Sequence, residues 1–326
     1  MACRRIGAAC VALVAALAIS AGRPAHAQQF PNQPIHLILG FAPGGITDFT
    51  GRIVAQQLSK VLNGNPVVPE NRPGAAGVNA AGVVAHANPD GYTLILIDPG
   101  TVVNPMLRTG LPYQMSDFTM VGMVGLSPVV IVAWNQLPVN NIKELLDYGL
   151  KNPGKLSYGT AGVGSAPHLA AELFESGTGL KAVHVPYQGI GGSFVDLMAG
   201  NIQMSFSSIV GALPFTRDNK IRALATTGSR RPASYPDIPT VAESVLPGYS
   251  VDIWLALATP KGTPPATIEK LNAALQQALQ AREVIDALAK VGIEAQPTGA
   301  AEANAFVDSE VKRWPAVIQS AGIGPK

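Results

Sequence analysis

The chain has 326 residues, with 23 Lys and Arg against 21 Asp and Glu, and only 13% of its residues are charged. That near balance argues against a polyanionic partner such as nucleic acid. A 47% hydrophobic content supplies a core for one or two domains, with no low-complexity or disordered composition. In chain order, Arg4 and Arg5 precede an apolar stretch from Ile6 to Ala21, and Ala25-His26-Ala27 offers a small-x-small cleavage site. The pattern predicts a secretory signal peptide over residues 1–27. The stretch falls short of the roughly 20 residues that a membrane span needs. Both cysteines, Cys3 and Cys10, lie inside this leader, so the mature chain is expected to carry no disulfide, thiol nucleophile or cysteine–metal site. Without the three leader arginines, 20 basic residues face 21 acidic ones, a net charge of −1.

From residue 35 onward, apolar strand-like runs alternate with helical periodicity, which predicts a parallel α/β organisation. Strands are expected at Ile35–Leu39, Val67–Pro69, Thr93–Ile97, Val129–Trp134, Leu156–Tyr158, Ala182–Pro186, Met204–Ser207, Arg222–Thr226 and Ile253–Thr259. Helices are expected at Thr47–Leu62, Gly77–His86, Ile142–Lys151, Ala166–Ser176, Gly192–Ala199, Pro264–Gln280, Ala281–Val291 and Ala300–Ala321. Two of the strand-to-helix junctions are rich in glycine: Gly40-Phe41-Ala42-Pro43-Gly44-Gly45 and Gly159-Thr160-Ala161-Gly162-Val163-Gly164. Glycines let the backbone turn tightly, and the first-turn N–H groups of a helix lack internal partners at its positive end. Each junction is therefore a small anion site built from backbone. The two would face one another across a cleft if they belong to different domains.

Catalytic signatures are poor. There is no G-x-S-x-G elbow, no phosphate-binding P-loop and no H-E-x-x-H, and Gly189-Ile190-Gly191-Gly192 is not a dinucleotide fingerprint. His36, His86, His168 and His184 have no metal-ligand spacing, so neither a metal nor a cofactor is expected. His36 and His184 lie in strand patterns and read as structural, whereas His168, in the first turn after the second loop, suits either ligand donation or packing. Asp48 is placed to cap a helix start or to meet a cationic or hydroxylated part of a ligand. Thr47, Thr160 and Ser165 carry hydroxyls that suit a carboxylate or a cap. Ser165 and His168, three residues apart, also admit a secreted hydrolase, although no acid nearby in sequence orients the imidazole.

An ordered set of segments carries a family resemblance across the mature chain. It runs through Phe41–Asp48, Val68–Gly77, Asn88–Leu94, Tyr158–Gly162, Pro167-His168-Leu169, His184–Gly189, Arg222–Thr227, Asp237–Glu243 and Ala258–Pro264. In these segments the chain resembles the Bug receptors, the extracytoplasmic binding components of tripartite tricarboxylate transporters. The resemblance implies a periplasmic-binding-protein fold of type II, two α/β domains joined by a two-segment hinge. The divisions would be 28–127 plus 254–326 for the first domain and 128–253 for the second, with crossings near Ser127–Ile131 and Val251–Leu255. It implies a periplasmic monomer that captures a small organic acid, closes at the hinge, and delivers it to integral membrane transporter subunits or a sensor. Carried over by position, the ligand contacts are Phe41, Gly44, Gly45, Ile46, Thr47 and Asp48 from the first loop, and Thr160, Ala161, Gly162, Ser165 and His168 from the second. Ser207 is expected as a further ligand contact, and many relatives read Phe-Asp where this chain has Phe206-Ser207. Loss of that acid from the cleft leans the expected ligand away from amino acids and toward a mono- or dicarboxylic acid.

Overall fold

The computed structural model describes residues 30–321, so the signal-peptide segment lies outside the described residues. Buried aliphatic runs make the strands: β1 (Ile35–Leu39), β2 (Val67–Asn71), β3 (Thr93–Ile97), β4 (Phe118–Trp134), β5 (Ser157–Thr160), β6 (Val183–Pro186), β7 (Met204–Ser208), β8 (Ile221–Thr226), β9 (Asp252–Pro260) and β10 (Glu294–Ala295). Among the described residues they form one sheet in the order β2-β1-β3-β9-β4-β7-β5-β6, with β10 and β8 also paired to β4. The expected parallel pairing holds at both ends of the sheet, where β1 lies between β2 and β3 and β5 between β6 and β7. The middle is different. β9 and β4 run antiparallel to each other and to their other partners.

β4 is the strand that sequence periodicity caught only in part. It continues for 17 residues, pairing with β9 and β10 along its first stretch and with β7 and β8 from Val129 onward. Gly122, Gly125 and Pro128 interrupt the apolar pattern, and glycine inside a strand marks a bulge or a close backbone approach. Both occur here. The register against β9 shifts between Met120 and Gly122 and again between Met123 and Gly125. A Cβ at Gly125 would lie 2.8 Å from the Glu294 carbonyl oxygen.

The helices are α1 (Ile46–Val61), α2 (Val78–Ala85), α3 (Pro99–Leu107), α4 (Ile142–Lys151), α5 (Ala166–Thr178), α6 (Ile190–Ala199), α7 (Ile209–Arg217), α8 (Val241–Ser244), α9 (Pro265–Gln280), α10 (Arg282–Lys290) and α11 (Ala300–Ala321). α3 and α7 were not expected from sequence, because each carries an internal proline, Pro105 and Pro214. α3 forms nonetheless, because Asp98 caps it: the carboxylate accepts from the Thr101 amide at 3.1 Å and from its hydroxyl at 3.2 Å.

One apolar cluster gathers Ile38, Ile95, Ile97, Val102, Met123, Ala256 and Trp314, and a second gathers Val130, Val132, Phe194, Leu197, Ile209 and Ile221. α11 is pinned to the first by a buried acid. Glu310 Oε2 accepts from Trp254 Nε1 at 2.9 Å and from Trp314 Nε1 at 3.0 Å, while Oε1 accepts from Arg313 at 3.2 Å. Two buried indole N–H groups thus share one carboxylate oxygen. Among the described residues no helix is long and apolar enough to cross a membrane.

Candidate functional site

A cavity of about 470 Å³ opens where the carboxyl ends of β1, β3, β5, β6 and β7 converge. The β1–α1 loop forms one wall. Gly40 leaves the strand so close to Gly77 that an added Cβ would sit 2.9 Å from its Cα, and Gly44 has φ +91°, which favours glycine. Gly45 is the N-cap of α1 and supplies no side-chain cap. The first intrahelical bond runs from the Phe49 amide to the Gly45 carbonyl, so the Ile46, Thr47 and Asp48 amides precede it. Phe41, Gly44, Gly45, Ile46 and Thr47 all line the cavity.

Asp48 does not. Its Oδ2 accepts from the Gly44 amide at 3.1 Å, and its Oδ1 accepts from Arg52 at 2.9 Å and Asn71 at 3.0 Å. Asn71 also donates to the Phe41 carbonyl at 3.0 Å. Burial pushes the Asp48 carboxyl up, but Arg52 with the Gly44 and Asn71 donors outweighs it and holds the group below its ordinary value. Asp48 therefore braces the loop from behind.

The second loop follows β5. Ala161 and Ser165 line the cavity, while Thr160, Gly162 and His168 lie off its wall. Their polar groups are spent inside the loop. Thr160 Oγ1 accepts from the Gly162 amide at 3.2 Å and lies 2.7 Å from His184 Nε2. Ser165 Oγ donates to the Gly162 carbonyl at 2.7 Å and caps α5 by accepting from the His168 amide. His168 Nδ1 accepts from the Gly164 amide at 3.2 Å, and its Nε2 lies 3.2 Å from Glu172. An acid does therefore reach the imidazole, from one helical turn along, contrary to the expectation that none near it in sequence would. Its ring stacks on His184 at 4.4 Å, and burial together with the nearby His168 pushes His184 down to about 4. Ser165 and His168 meet only through the His168 backbone amide, and both imidazole nitrogens are engaged elsewhere. No hydroxyl–imidazole bond of the kind a hydrolase needs joins them.

One turn further along α5, Glu175 accepts from the Ala182 amide at 2.6 Å. Burial, reinforced by the neighbouring Glu172 charge against the Ala182 donor and Lys181, pushes Glu175 up to about 7 from 4.5. Its folded value exceeds its unfolded one, so its contribution to stability is fully present below pH 4.5 and is lost as pH rises through 7. Glu175→Gln keeps an acceptor for Ala182 and should flatten this decline. Unfolding free energies of the variant and the parent from denaturant titrations should diverge between pH 5 and 8, by roughly 1–2 kcal/mol at the alkaline end. Parallel pH profiles would contradict the assignment.

The rest of the cavity wall was not foreseen from sequence. It comprises Asp98, the Tyr187–Gly192 loop, Phe194, Ser208, Gly211, Phe215 and Ile253. Two further helix starts are exposed here: α6 begins after Gly189 and α7 after Ser208, neither with a side-chain cap. A Gly-rich turn between a strand and a helix at Gly189–Gly192 was the available signal, masked because it fits no nucleotide motif. Ser207 lies off the wall, with its hydroxyl donating to the Ser208 carbonyl at 3.0 Å. Successive strand residues point to opposite faces, so it is Ser208 that reaches the cavity. No Lys, Arg or His lines it, and the one ionisable carboxyl there is Asp98, pushed up to about 6 by burial against the bonds from Thr101 and Gly100. Among the described residues no cluster of His, Cys, Asp and Glu is placed to hold a metal.

Loops from the two ends of the sheet touch around this cavity. A Cβ on Gly189 would meet Ala42 Cβ at 3.4 Å, and one on Gly100 would meet the Gly164 carbonyl at 2.9 Å. Arg108 donates to the Val163 carbonyl at 3.0 Å, and a Cβ on Gly164 would meet Asn104 Oδ1 at 2.6 Å.

Residues 50–323 match the family model described as the tripartite tricarboxylate transporter family receptor. The chain belongs to this family. BugT of Bordetella pertussis is 34% identical over 302 residues, covering 92% of this chain and 92% of that protein. Among solved structures, R. palustris Rpa4515 with adipate superposes with a TM-score of 0.88 at 31% identity, covering 91% of this chain and all of the other. MatC from Rhodopseudomonas palustris with bound malate gives 0.82 at 33% identity, covering 89% of this chain and all of the other. The periplasmic binding protein BugD gives 0.86 at 32% identity, covering 91% of this chain and all of the other. The α/β architecture of this family receptor is thus that of a solved periplasmic binding protein, in line with the fold class read from sequence.

Proposed function

We propose that this family receptor is a solute-binding protein of the periplasm that captures a small organic carboxylate in the cavity described and passes it to membrane transporter subunits. The observation that carries the reading is the source of positive potential on the wall. Three helices begin there without a side-chain cap, α1, α6 and α7, and no cationic side chain accompanies them. Each helix N-terminus carries about half a positive charge, and in a closed cavity of low dielectric these dipoles and amides suit one small anion. The solved relatives with adipate and malate support a carboxylate. The first loop is the main grip, because the Ile46, Thr47 and Asp48 amides precede the first intrahelical bond of α1, whereas the Gly162, Gly164, Ser165 and His168 amides of the second loop are bonded inside it.

Capture proceeds by closure of two domains, 28–127 plus 254–326 against 128–253, flexing where β4 and β9 pass from one to the other. The protein acts as a monomer and makes no covalent step. The Gly100–Gly164 approach and the Arg108–Val163 bond would then belong to the closed form. Arg108→Ala removes one such contact without altering a residue that lines the cavity. Stopped-flow binding should show a faster release, by about two- to fivefold, with the association rate little changed. An unaltered release rate would remove the latch from the scheme. The reading as a whole is tested by a thermal-shift screen of the ligand-freed protein against small organic acids, since a ligand specific to the folded state raises the melting temperature by mass action. No stabilisation by any carboxylate would refute it.

A further inference from the structure

The cavity wall outside the amide grip has two properties that together narrow the ligand. The first is an aromatic and aliphatic patch. Phe194 and Phe215 lie with ring centroids 5.1 Å apart at 42°. Gly211 completes the patch by what it lacks: a Cβ there would press on Ile190 Cγ2 and Phe194 Cε2, both at 3.1 Å. Ile253 and the Tyr187 ring also line the cavity, and the Tyr187 hydroxyl is spent on Asp196 at 2.5 Å. Aromatic and aliphatic surface of this kind rewards a ring-shaped apolar body through burial and edge or offset stacking.

The second property is charge. Asp98 is the sole carboxyl on the wall and faces no cation there; its Oδ1 is held by the Thr101 amide and hydroxyl as the cap of α3. A second ligand carboxylate would enter a site with no counter-ion and one resident acid, and would lose its water without a charged partner. The donors left at the start of α6 are bracketed by Ile190 and Phe194, both of the apolar patch.

We propose, resting on the carboxylate-receptor reading above, that the ligand is a monocarboxylic acid with an apolar ring as its body, seated against Ile190, Phe194 and Phe215, and that Asp98 rejects acids bearing a second carboxylate. Asp98 and Phe215 are the specificity-determining residues. Both lie outside the segments that sequence reading assigned to the ligand.

The test is titration calorimetry on the purified protein after removal of carried-over ligand by partial denaturation and dialysis. The probes are 3-phenylpropionate, cyclohexanecarboxylate, adipate and malate. The two ring acids should bind about tenfold or more tighter than either diacid. Asp98→Asn, which keeps an acceptor for the α3 cap, should raise the ratio of adipate to 3-phenylpropionate affinity about tenfold. Phe215→Ala, with its fold checked by circular dichroism, should weaken 3-phenylpropionate about tenfold. Adipate or malate binding tightest to the parent protein overturns the proposal and leaves the receptor reading standing. An Asp98→Asn variant with an unchanged ratio of diacid to monoacid affinity also overturns it. Failure of all four acids, and of every acid in the thermal-shift screen, sinks the receptor reading itself.

Discussion

Replacing Ile46 with proline should weaken binding of the carboxylate ligand about 10- to 100-fold while the protein stays folded. Ile46 is the first residue of α1, the one helical position where proline is readily accommodated, since its missing N–H has no intrahelical acceptor anyway. The preceding Gly45 has φ −93° and ψ 176°, extended backbone that a following proline tolerates. What the substitution removes is one free amide at the positive end of the helix. A hydrogen bond to a charged group contributes about 1.5–3 kcal/mol, and about 1.4 kcal/mol is a factor of ten in affinity. Ile46→Ala is the matched control, because it loses the buried side chain and keeps the amide. Calorimetry on the pair isolates the amide, and equal dissociation constants for the two variants would show that the first loop is not the grip.

The largest stability effect is expected at Glu310. Glu310→Leu should lower stability by about 3–4 kcal/mol, a melting-temperature drop of roughly 10 °C. The carboxylate is buried at 6% exposure and is the acceptor for the indoles of Trp254 and Trp314 as well as for Arg313. Leucine would leave both indole N–H groups unsatisfied inside the packing of α11 on the sheet, which is costlier than losing a bond at the surface. Glu310→Gln retains a carbonyl acceptor of the same reach and should recover much of the loss. Thermal unfolding followed by tryptophan fluorescence reads this directly, since the affected indoles report on it. A Leu variant as stable as the Gln variant would contradict the account.

Much of the fold was legible because its buried strands are short, apolar and punctuated: β1 and β3, and helices α4 and α11, fall on the expected residues. What escaped did so for physical reasons. The first half of β4 carries glycines that bulges and close backbone approach require, and these mimic a loop. α3 and α7 carry prolines that read as breakers, yet α3 is secured by Asp98. The site shows the same division. A glycine turn before a helix announces free amides, so the first loop was visible. Which side chain faces inward depends on tertiary packing, so Asp48, Thr160, Gly162, His168 and Ser207 turned out to support or lie behind the wall. Asp98, Phe194, Phe215 and Ile253 come together only when five strand ends converge, and no local pattern encodes that.

The division of labour in the cavity has a consequence for how such receptors diversify. In the proposed site the groups that attract the anion are main-chain amides, whose position depends on the path of the backbone and not on residue identity. The groups that shape the remainder, Ile190, Phe194, Phe215, Ile253 and Asp98, are ordinary side chains on the frame. Side-chain changes at Phe194, Phe215 and Ile253 leave the amides of the first loop in place, so mutation can explore new ligand bodies without passing through an intermediate that has lost its hold on the carboxylate. Retargeting the protein in the laboratory should follow the same route, with substitutions confined to those wall positions and the Gly44-Gly45 turn left alone.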